Sequence, residues 1–289
     1  MHNAHPWLLG LDLGPRSHGA LAFAAWLRAT ADARVFGLHV LEAGAGRFVG
    51  GADEAADAVR TADAVRMAVD ERCERLGLPR LEQVEVLMVS RAEEGLAARC
   101  EHAAGLILGR AAPTGKAALV RLGRVARRVL RQLPGPVIVV PPELAQVGPG
   151  PILLATDLGP ASAGAARFAR SFAAAVGRTL ELVHVGDAQD GDMLGALDPR
   201  WQIEREGHRA AVLAAASVWT VEQALGDRPR RVLFGERVAE IAAVAEECQA
   251  ALIVVGSRQL GVGARIFTTS TASALAGVAG CAVAVIPPA

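Results

Sequence analysis

The chain lacks several features that would each point to a particular class of protein. It has 30 basic and 30 acidic residues, and this balance does not predict nucleic acid or an acidic surface as the main partner. No uninterrupted apolar run approaches the roughly 20 residues that a membrane-spanning helix needs. The first residues lack the basic and apolar segments of a signal peptide. We therefore expect a soluble, cytoplasmic protein with no nucleic-acid or membrane partner.

Cysteine and lysine are also scarce. The four cysteines stand apart, without the C-x-x-C or zinc-type spacing of a redox or metal site. We expect them to be buried, reduced thiols, and we predict no metal site. Lys116 is the only lysine, and arginine supplies every other fixed positive charge. We attribute that bias to the base composition of the genome.

The apolar sequence that is present suffices for two cores. Of the 289 residues, 52% are apolar. Short apolar runs typical of buried strands alternate with segments whose apolar residues recur at helical spacing. This alternation predicts an α/β fold, with a parallel sheet and helices on both faces. The strands predicted in the first half are residues 7–13, 35–42, 84–89, 105–109 and 136–142.

The second half of the chain repeats the first. Residues 153–165, LLATDLGPASAGA, match residues 8–20, LLGLDLGPRSHGA, at an offset of 145. Near the end, AVAVIPP (282–288) matches PVIVVPP (136–142) at an offset of 146. A repeat of this length indicates duplicated domains and not a solenoid, whose units are shorter. The boundary falls in the Pro/Gly linker at 143–150. The predicted domains are residues 1–146 and 147–289.

Each half also contains a candidate phosphate loop. Residues 252–270, LIVVGSRQLGVGARIFTTS, read as a buried strand, a glycine, a polar loop and a Thr/Ser cluster that opens a helix. Free backbone N–H groups and the positive end of the helix dipole favour an anion at such a helix start. Residues 105–124 are an altered copy of the same pattern.

With these motifs in order, each half resembles a universal stress protein domain. The resemblance rests on the acid that ends the first strand, the LHV-type second strand, VVGSR, and the closing PVIVVPP-type strand. It implies two tandem adenine-nucleotide alpha-hydrolase-like (Rossmann-like) domains, each a five-stranded parallel sheet with helices on both faces. It also implies that the acid contacts the nucleoside of a bound nucleotide. A glycine loop, G-x-x-G, nine residues and G-(S/T), would wrap ATP phosphates.

The two halves match that glycine pattern unevenly. In the second half the spacing is intact, but Gln259 and Thr269 replace two glycines, which phosphate loops use for close backbone approach. In the first half the loop is one residue longer, and Arg124 replaces the hydroxyl residue. An arginine at a helix N-terminus is electrostatically unfavourable unless an anion is nearby or its side chain fills the pocket. The resemblance implies these ligand contacts: Asp157, Gly256, Ser257, Arg258, Ser270 and Thr271 in the second half, and Asp12, Gly109, Gly123 and Arg124 in the first.

Several of these residues also have a structural interpretation. Asp12 and Asp157 either bind a ribose or base, or accept backbone N–H bonds in the turn and cap the next helix. We expect His39 and His184 to be strand-end histidines that bond to the backbone. Arginines at three- and four-residue spacing either gather an anionic ligand or form a solvated helix face with paired charges, which we favour. They are Arg121, Arg124, Arg128 and Arg131.

These readings leave three functional hypotheses. The first is a non-catalytic stress-response module that binds ATP or another adenine nucleotide, mainly in the second domain, and is read by an unidentified protein partner. The second is a nucleotide-free scaffold or dimerisation protein with decayed loops. The third is a slow ATPase, although no G-x-S-x-G or other nucleophile motif nominates a catalytic residue. The closing strands predict an intramolecular pseudo-dimer, with homodimers of the chain as a further level of assembly.

Overall fold

The structure is a computed structural model of the chain, and it describes residues 5–42, 52–111, 122–186, 199–257 and 271–288. It describes only the backbone at 52–57, 199–202 and 204–205. The contacts divide the chain into two compact units. The first comprises Met1–Val147 and Ala276–Val285, and the second comprises Gly148–Leu275 and Ile286–Ala289.

The first unit alternates strands and helices along most of its length. Its main elements, in chain order, are β1 (Trp7–Leu11), α1 (His18–Ala31), β2 (Val35–Glu42), α2 (Ala52–Arg75), β3 (Val84–Val89), α3 (Ala92–Cys100), β4 (Gly105–Gly109), α4 (Arg124–Gln132) and β5 (Val137–Val140). A single 3₁₀ turn, Pro15–Ser17, joins β1 to α1. The alternation predicted from the sequence is therefore confirmed.

Five parallel strands form the sheet of the first unit, in the order β3-β2-β1-β4-β5. A sixth strand, here β10 (Ala282–Ile286), pairs antiparallel with β5, with Val283 opposite Val139. By sequence β10 closes the second repeat, yet residues 282–285 belong to the first unit.

The second unit has the same element order. Its elements are β6 (Ile152–Ala155), the 3₁₀ turn Pro160–Ser162, α5 (Ala163–Ala175), β7 (Leu180–Gly186), α6 (Pro199–Glu222), β8 (Arg230–Phe234), α7 (Arg237–Glu247), β9 (Leu252–Gly256) and the start of α8 (Thr271–Val278). Its parallel strands follow the order β9-β6-β7-β8. The described residues thus give this sheet four parallel strands, because β10 joins the first unit.

Apolar strands fill the centre of each unit. Parallel strands that are covered on both faces read as continuous apolar runs, which explains why β1, β4, β6 and β9 show no polar alternation. The outer strands differ, since Met88 of β3 and Arg230 of β8 are exposed. The largest fully buried side chains include Trp7, Leu9, Phe23, Ile107, Leu153 and Phe172.

None of the four cysteines, all of which lie among the described residues, forms a disulfide. Cys73 and Cys100 are buried as predicted, and burial raises the pKa of the Cys100 thiol to about 11. Cys248 and Cys281 are only half-buried, so the prediction of full burial was wrong for these two. In the part of the chain that the structure describes, no helix is both long and apolar enough to cross a bilayer.

Candidate functional site

A cavity of about 490 Å³ opens in the first unit where β1, β2 and β4 end. The strand order reverses at this place, since β2 lies on one side of β1 and β4 on the other. Ligands of open α/β sheets bind in the crevice outside the carboxyl ends of the strands at such a switch point. Its lining residues that also belong to the predicted site are Asp12, Gly109, Gly123 and Arg124.

Asp12 organises a tight turn at the end of β1. Its Oδ1 accepts hydrogen bonds from the Gly14 N–H and the Ser17 hydroxyl, each at 2.8 Å. The Asp12 N–H in turn donates to Ser17 Oγ at 3.1 Å. Leu13 adopts the left-handed region, with φ 56°, to close the turn. The predicted backbone bond within the turn is confirmed, but the predicted helix cap was wrong, because the cap residues are Gly14 for the 3₁₀ turn and Ser17 for α1. Asp12 is also exposed and lines the cavity, so a ligand can contact it.

The second unit contains the same turn. Asp157 Oδ1 accepts from the Gly159 N–H at 2.9 Å and from the Ser162 hydroxyl at 2.7 Å. Leu158 repeats the left-handed conformation, with φ 60°. The duplication therefore preserves hydrogen bonds and backbone angles as well as sequence.

The glycines that end β4 and β9 lie against the 3₁₀ turns of their units. A Cβ atom at Gly109 would overlap the carbonyl oxygen of Arg16 in the turn. At Gly256 the nearest atom would be the carbonyl oxygen of Ala161, at 3.2 Å. Close approach of the strand to the turn therefore accounts for Gly109 without a phosphate, whereas the contact at Gly256 is looser.

Arg124 forms an ion pair with an acidic side chain of the protein. It is the first residue of α4, after Gly123, and one of its terminal nitrogens lies 3.3 Å from Glu42 Oε2. Glu42 ends β2, and its Oε1 accepts the Ala92 N–H at the start of α3, at 3.1 Å. The Arg124 side chain is 65% exposed and does not fill the cavity. The one signal in the sequence for Glu42 is its place at the end of the LHV-type strand.

Further along α4, Arg128 forms a more buried ion pair with Glu93 of α3. The Arg128 guanidinium lies 2.6 Å from Glu93 Oε1, and the Glu93 side chain is 4% exposed. Burial alone would raise the pKa of this carboxyl, but hydrogen bonds from its own backbone N–H and from Arg128 lower the pKa overall. The interpretation of the arginine face as paired charges is confirmed for Arg124 and Arg128. Arg121 lies outside the described residues.

This buried pair gives a stability prediction. We expect Glu93→Ala to lower the free energy of unfolding by about 2 kcal/mol at pH 7, because it leaves Arg128 without its buried partner. A lowered folded pKa means that the contribution is fully present above the unfolded pKa, about 4.3, and is lost as the pH falls through the folded value. The free energies of unfolding of wild type and variant, measured by guanidinium titration, should therefore differ less at pH 3.5 than at pH 7.

Glu94→Ala is the matched control for that titration. Glu94 is the next residue of α3, its side chain is 51% exposed, and it pairs with Arg91 at 3.4 Å. An exposed pair of this kind contributes about 0–1 kcal/mol. Equal losses for the two variants would contradict the role assigned to Glu93.

The two strand-end histidines bond to the backbone, as predicted. His39 is buried, and its Nδ1 donates to the Leu11 carbonyl at 2.8 Å. His184 makes the equivalent bond to the Thr156 carbonyl, also at 2.8 Å. A carbonyl oxygen only accepts, so the proton resides on Nδ1 in both residues. Each histidine thus forms a hydrogen bond between the second strand of its unit and the end of the first strand.

The candidate site of the second unit is described in part. Ser257 follows β9, and its N–H donates to the Ile286 carbonyl at 2.8 Å. Thr271 is half-buried and begins α8. Gly256 lies beside the turn that Asp157 holds, as its approach to Ala161 shows. Arg258 and Ser270 lie outside the described residues, as do Gln259 and Thr269.

The repeated turns and the parallel sheets covered by helices define a doubly wound α/β protein, with the domain present twice. The chain belongs to the universal stress protein family, whose model matches residues 5–141 and 150–287. The tandem arrangement and the α/β fold predicted from the sequence are thus confirmed. No curated protein sequence matches the chain significantly.

Two solved structures show the same fold over nearly the full chain. A universal stress protein from Archaeoglobus fulgidus DSM 4304 is 21% identical, with 98% of each chain covered and a TM-score of 0.68. A putative universal stress protein from Pseudomonas aeruginosa UCBPP-PA14 is 18% identical, with 99% of this chain and 94% of that chain covered and a TM-score of 0.61. A second Archaeoglobus fulgidus universal stress protein, in complex with dAMP, is 23% identical over 47% of this chain and 97% of its own, with a TM-score of 0.31.

Proposed function

We propose that this universal stress protein is a non-catalytic stress-response module that binds an adenine nucleotide or nucleoside at the strand ends of its domains. The observation that carries the proposal is the cavity of about 490 Å³ beside the Asp12 turn. Small-molecule pockets typically measure about 300–1,000 Å³ and combine apolar walls with a few placed polar groups. Leu11, Leu38 and Leu108 provide apolar wall, and the Asp12 carboxylate offers an acceptor for ribose hydroxyls.

The proposal retains the second domain as the main site for a phosphorylated ligand. Its sequence keeps the family spacing, with Ser270 at the hydroxyl position, and its Asp157 turn has the same geometry as the Asp12 turn. The cavity of the first unit adds a second binding position, whereas the sequence predicted binding mainly in the second domain. Occupancy of either position would bias the surface that a protein partner reads.

The test compares Asp157→Asn with Asp12→Asn in the full chain. Asparagine keeps an Oδ1 acceptor for the Gly159 or Gly14 N–H and so preserves each turn, but it removes the charge. We expect Asp157→Asn to weaken ATP or AMP binding about tenfold in calorimetry, the typical size of a hydrogen bond to a charged group. Mass spectrometry of gently purified wild type should also detect bound nucleotide.

Asp32→Asn is the control, since Asp32 lies at the end of α1 and not among the cavity-lining residues. If neither calorimetry nor mass spectrometry detects adenosine, AMP, ADP or ATP with the wild-type chain at millimolar ligand, the proposed function is wrong. The scaffold hypothesis would then take its place. An Arg124 or Gln259 side chain in the phosphate space would favour that hypothesis. The Arg124 side chain is mostly exposed and pairs with Glu42, and Gln259 lies outside the described residues.

The non-catalytic part of the proposal has its own test. ATP turnover with and without magnesium should not exceed the uncatalysed rate, and hydrolysis that depends on Asp157 would contradict the proposal. For assembly, we propose the intramolecular pseudo-dimer that two tandem domains in one chain allow. Light scattering on the purified chain would show whether homodimers add to it.

A further inference from the structure

The cavity of the first unit is lined by charges that cancel. Four charged side chains border it, two acidic and two basic: Asp12, Glu42, Arg16 and Arg124. A pocket that recognises a polyphosphate usually presents an excess of positive charge or bare N–H groups to it. Among the described lining residues, which do not include 112–121, the positive and negative charges balance.

Glu42 is held in place at both carboxylate oxygens. Oε1 accepts the Ala92 N–H at the N-terminus of α3, at 3.1 Å, and Oε2 lies 3.3 Å from the Arg124 guanidinium at the N-terminus of α4. The positive end of the α3 dipole stabilises this carboxylate. One glutamate therefore bonds to the start of α3 and to the side chain of the first residue of α4.

The position of Arg124 explains why its contact with Glu42 affects phosphate binding. Arg124 stands where the family pattern has a hydroxyl residue, at the helix start that follows the loop. A ligand phosphate at this helix start would have to share Arg124 with the Glu42 carboxylate. Two unit charges of the same sign about 5 Å apart in water repel enough to lower affinity about fourfold, and a doubly charged phosphate more.

We propose that Glu42 occupies the anion position of the first-domain cleft, so that this cleft binds an uncharged nucleoside in preference to its phosphorylated forms. The inference rests on the proposed function and narrows it for one domain. Its ligand is an adenosine-type nucleoside, held by the Asp12 carboxylate and the apolar wall. The second domain remains the site for nucleotides.

The experiment measures the adenosine-to-AMP affinity ratio by calorimetry in the full chain carrying Asp157→Asn, which reduces the contribution of the second domain. We expect adenosine to bind about tenfold more tightly than AMP. Adding Glu42→Gln should strengthen AMP binding about fivefold and leave adenosine within twofold, because Arg124 then becomes available to the phosphate. Arg124→Gln should increase the preference for adenosine, because it leaves the Glu42 carboxylate uncompensated.

Glu94→Gln serves as the matched control, since Glu94 is acidic and exposed, and the cavity lining does not include it. It should leave both affinities within twofold. AMP binding as tight as adenosine, or a ratio that changes less than twofold in both Glu42→Gln and Arg124→Gln, would overturn the inference while the proposed function stands. Absence of binding by both ligands, in the presence and absence of Asp157→Asn, would instead overturn the proposed function.

Discussion

Gly109→Ala should destabilise the first unit by about 3 kcal/mol, whereas Gly256→Ala should change stability by less than about 1 kcal/mol. A Cβ at Gly109 overlaps the Arg16 carbonyl oxygen, and both atoms belong to backbone that the sheet and the 3₁₀ turn hold in place. At Gly256 the corresponding oxygen is 3.2 Å away, so a shift of a few tenths of an ångström suffices. Alanine also loses less backbone entropy than glycine on folding, which offsets part of that cost.

Because a two-unit chain need not unfold in one step, the measurement has to be local as well as global. Guanidinium unfolding followed by circular dichroism gives the overall loss, and hydrogen exchange of β4 and β9 assigns it to a unit. Gly109→Ala should lose protection in β4, and Gly256→Ala should retain it in β9. Equal losses in the two variants would mean that the different distances at the two turns do not determine the cost.

Arg110→Met should destabilise the first unit by about 3 kcal/mol as well. Arg110 follows Gly109 and is 5% exposed, and one terminal nitrogen donates to the carbonyls of Gly277 and Ala279 at 2.9 Å each. Gly277 lies in the last turn of α8 and Ala279 directly follows the helix, so neither carbonyl has a later helical N–H as its partner. Methionine keeps much of the volume but supplies no donor, so two acceptors in a buried place lose their partner.

The charge of Arg110 is only partly compensated in its surroundings. Burial lowers the pKa of its guanidinium, while Glu143, 3.9 Å away, opposes that shift. The buried Nε has no hydrogen-bond partner among the described residues. These costs limit the expected loss to about 3 kcal/mol, because removal of the side chain also removes its own desolvation.

Hydrogen exchange near residues 276–280 should show the effect of Arg110→Met most directly. The control is Arg131→Met, a surface arginine of α4, which should change stability by less than about 0.5 kcal/mol. If protection at the end of α8 is unchanged while β4 becomes more labile, Arg110 stabilises its own strand and not the helix end.

Local features of the site were predictable from the sequence. The pattern D-L-G-P-x-S occurs twice, and each copy builds the same turn, because the acid, the glycine N–H and the serine hydroxyl lie within five residues of one another. The backbone bonds of the strand-end histidines were also predictable. Each of these contacts lies within or between segments that occur in both halves of the chain.

Long-range partners were not predictable in this way. Arg124 and Glu42 are 82 residues apart, and Arg110 and Gly277 are 167 apart. No periodicity or spacing connects such pairs, since they meet only after the strands are ordered in the sheet. Gly109 and Gly256 illustrate the same limit, because equivalent positions in the repeat have different room around them. The sequence predicted Arg124 at a helix start but did not identify Glu42 as its acidic partner.

The pairing of β10 with β5 has a consequence for synthesis on the ribosome. Residues 1–140 can form their five parallel strands as they emerge, but β5 then stays an open sheet edge until residue 285 has been made. At about 5–20 residues per second, that interval lasts on the order of ten to thirty seconds. We expect nascent chains arrested near residue 200 to recruit chaperones through this edge, and chains arrested well beyond residue 289 to release them.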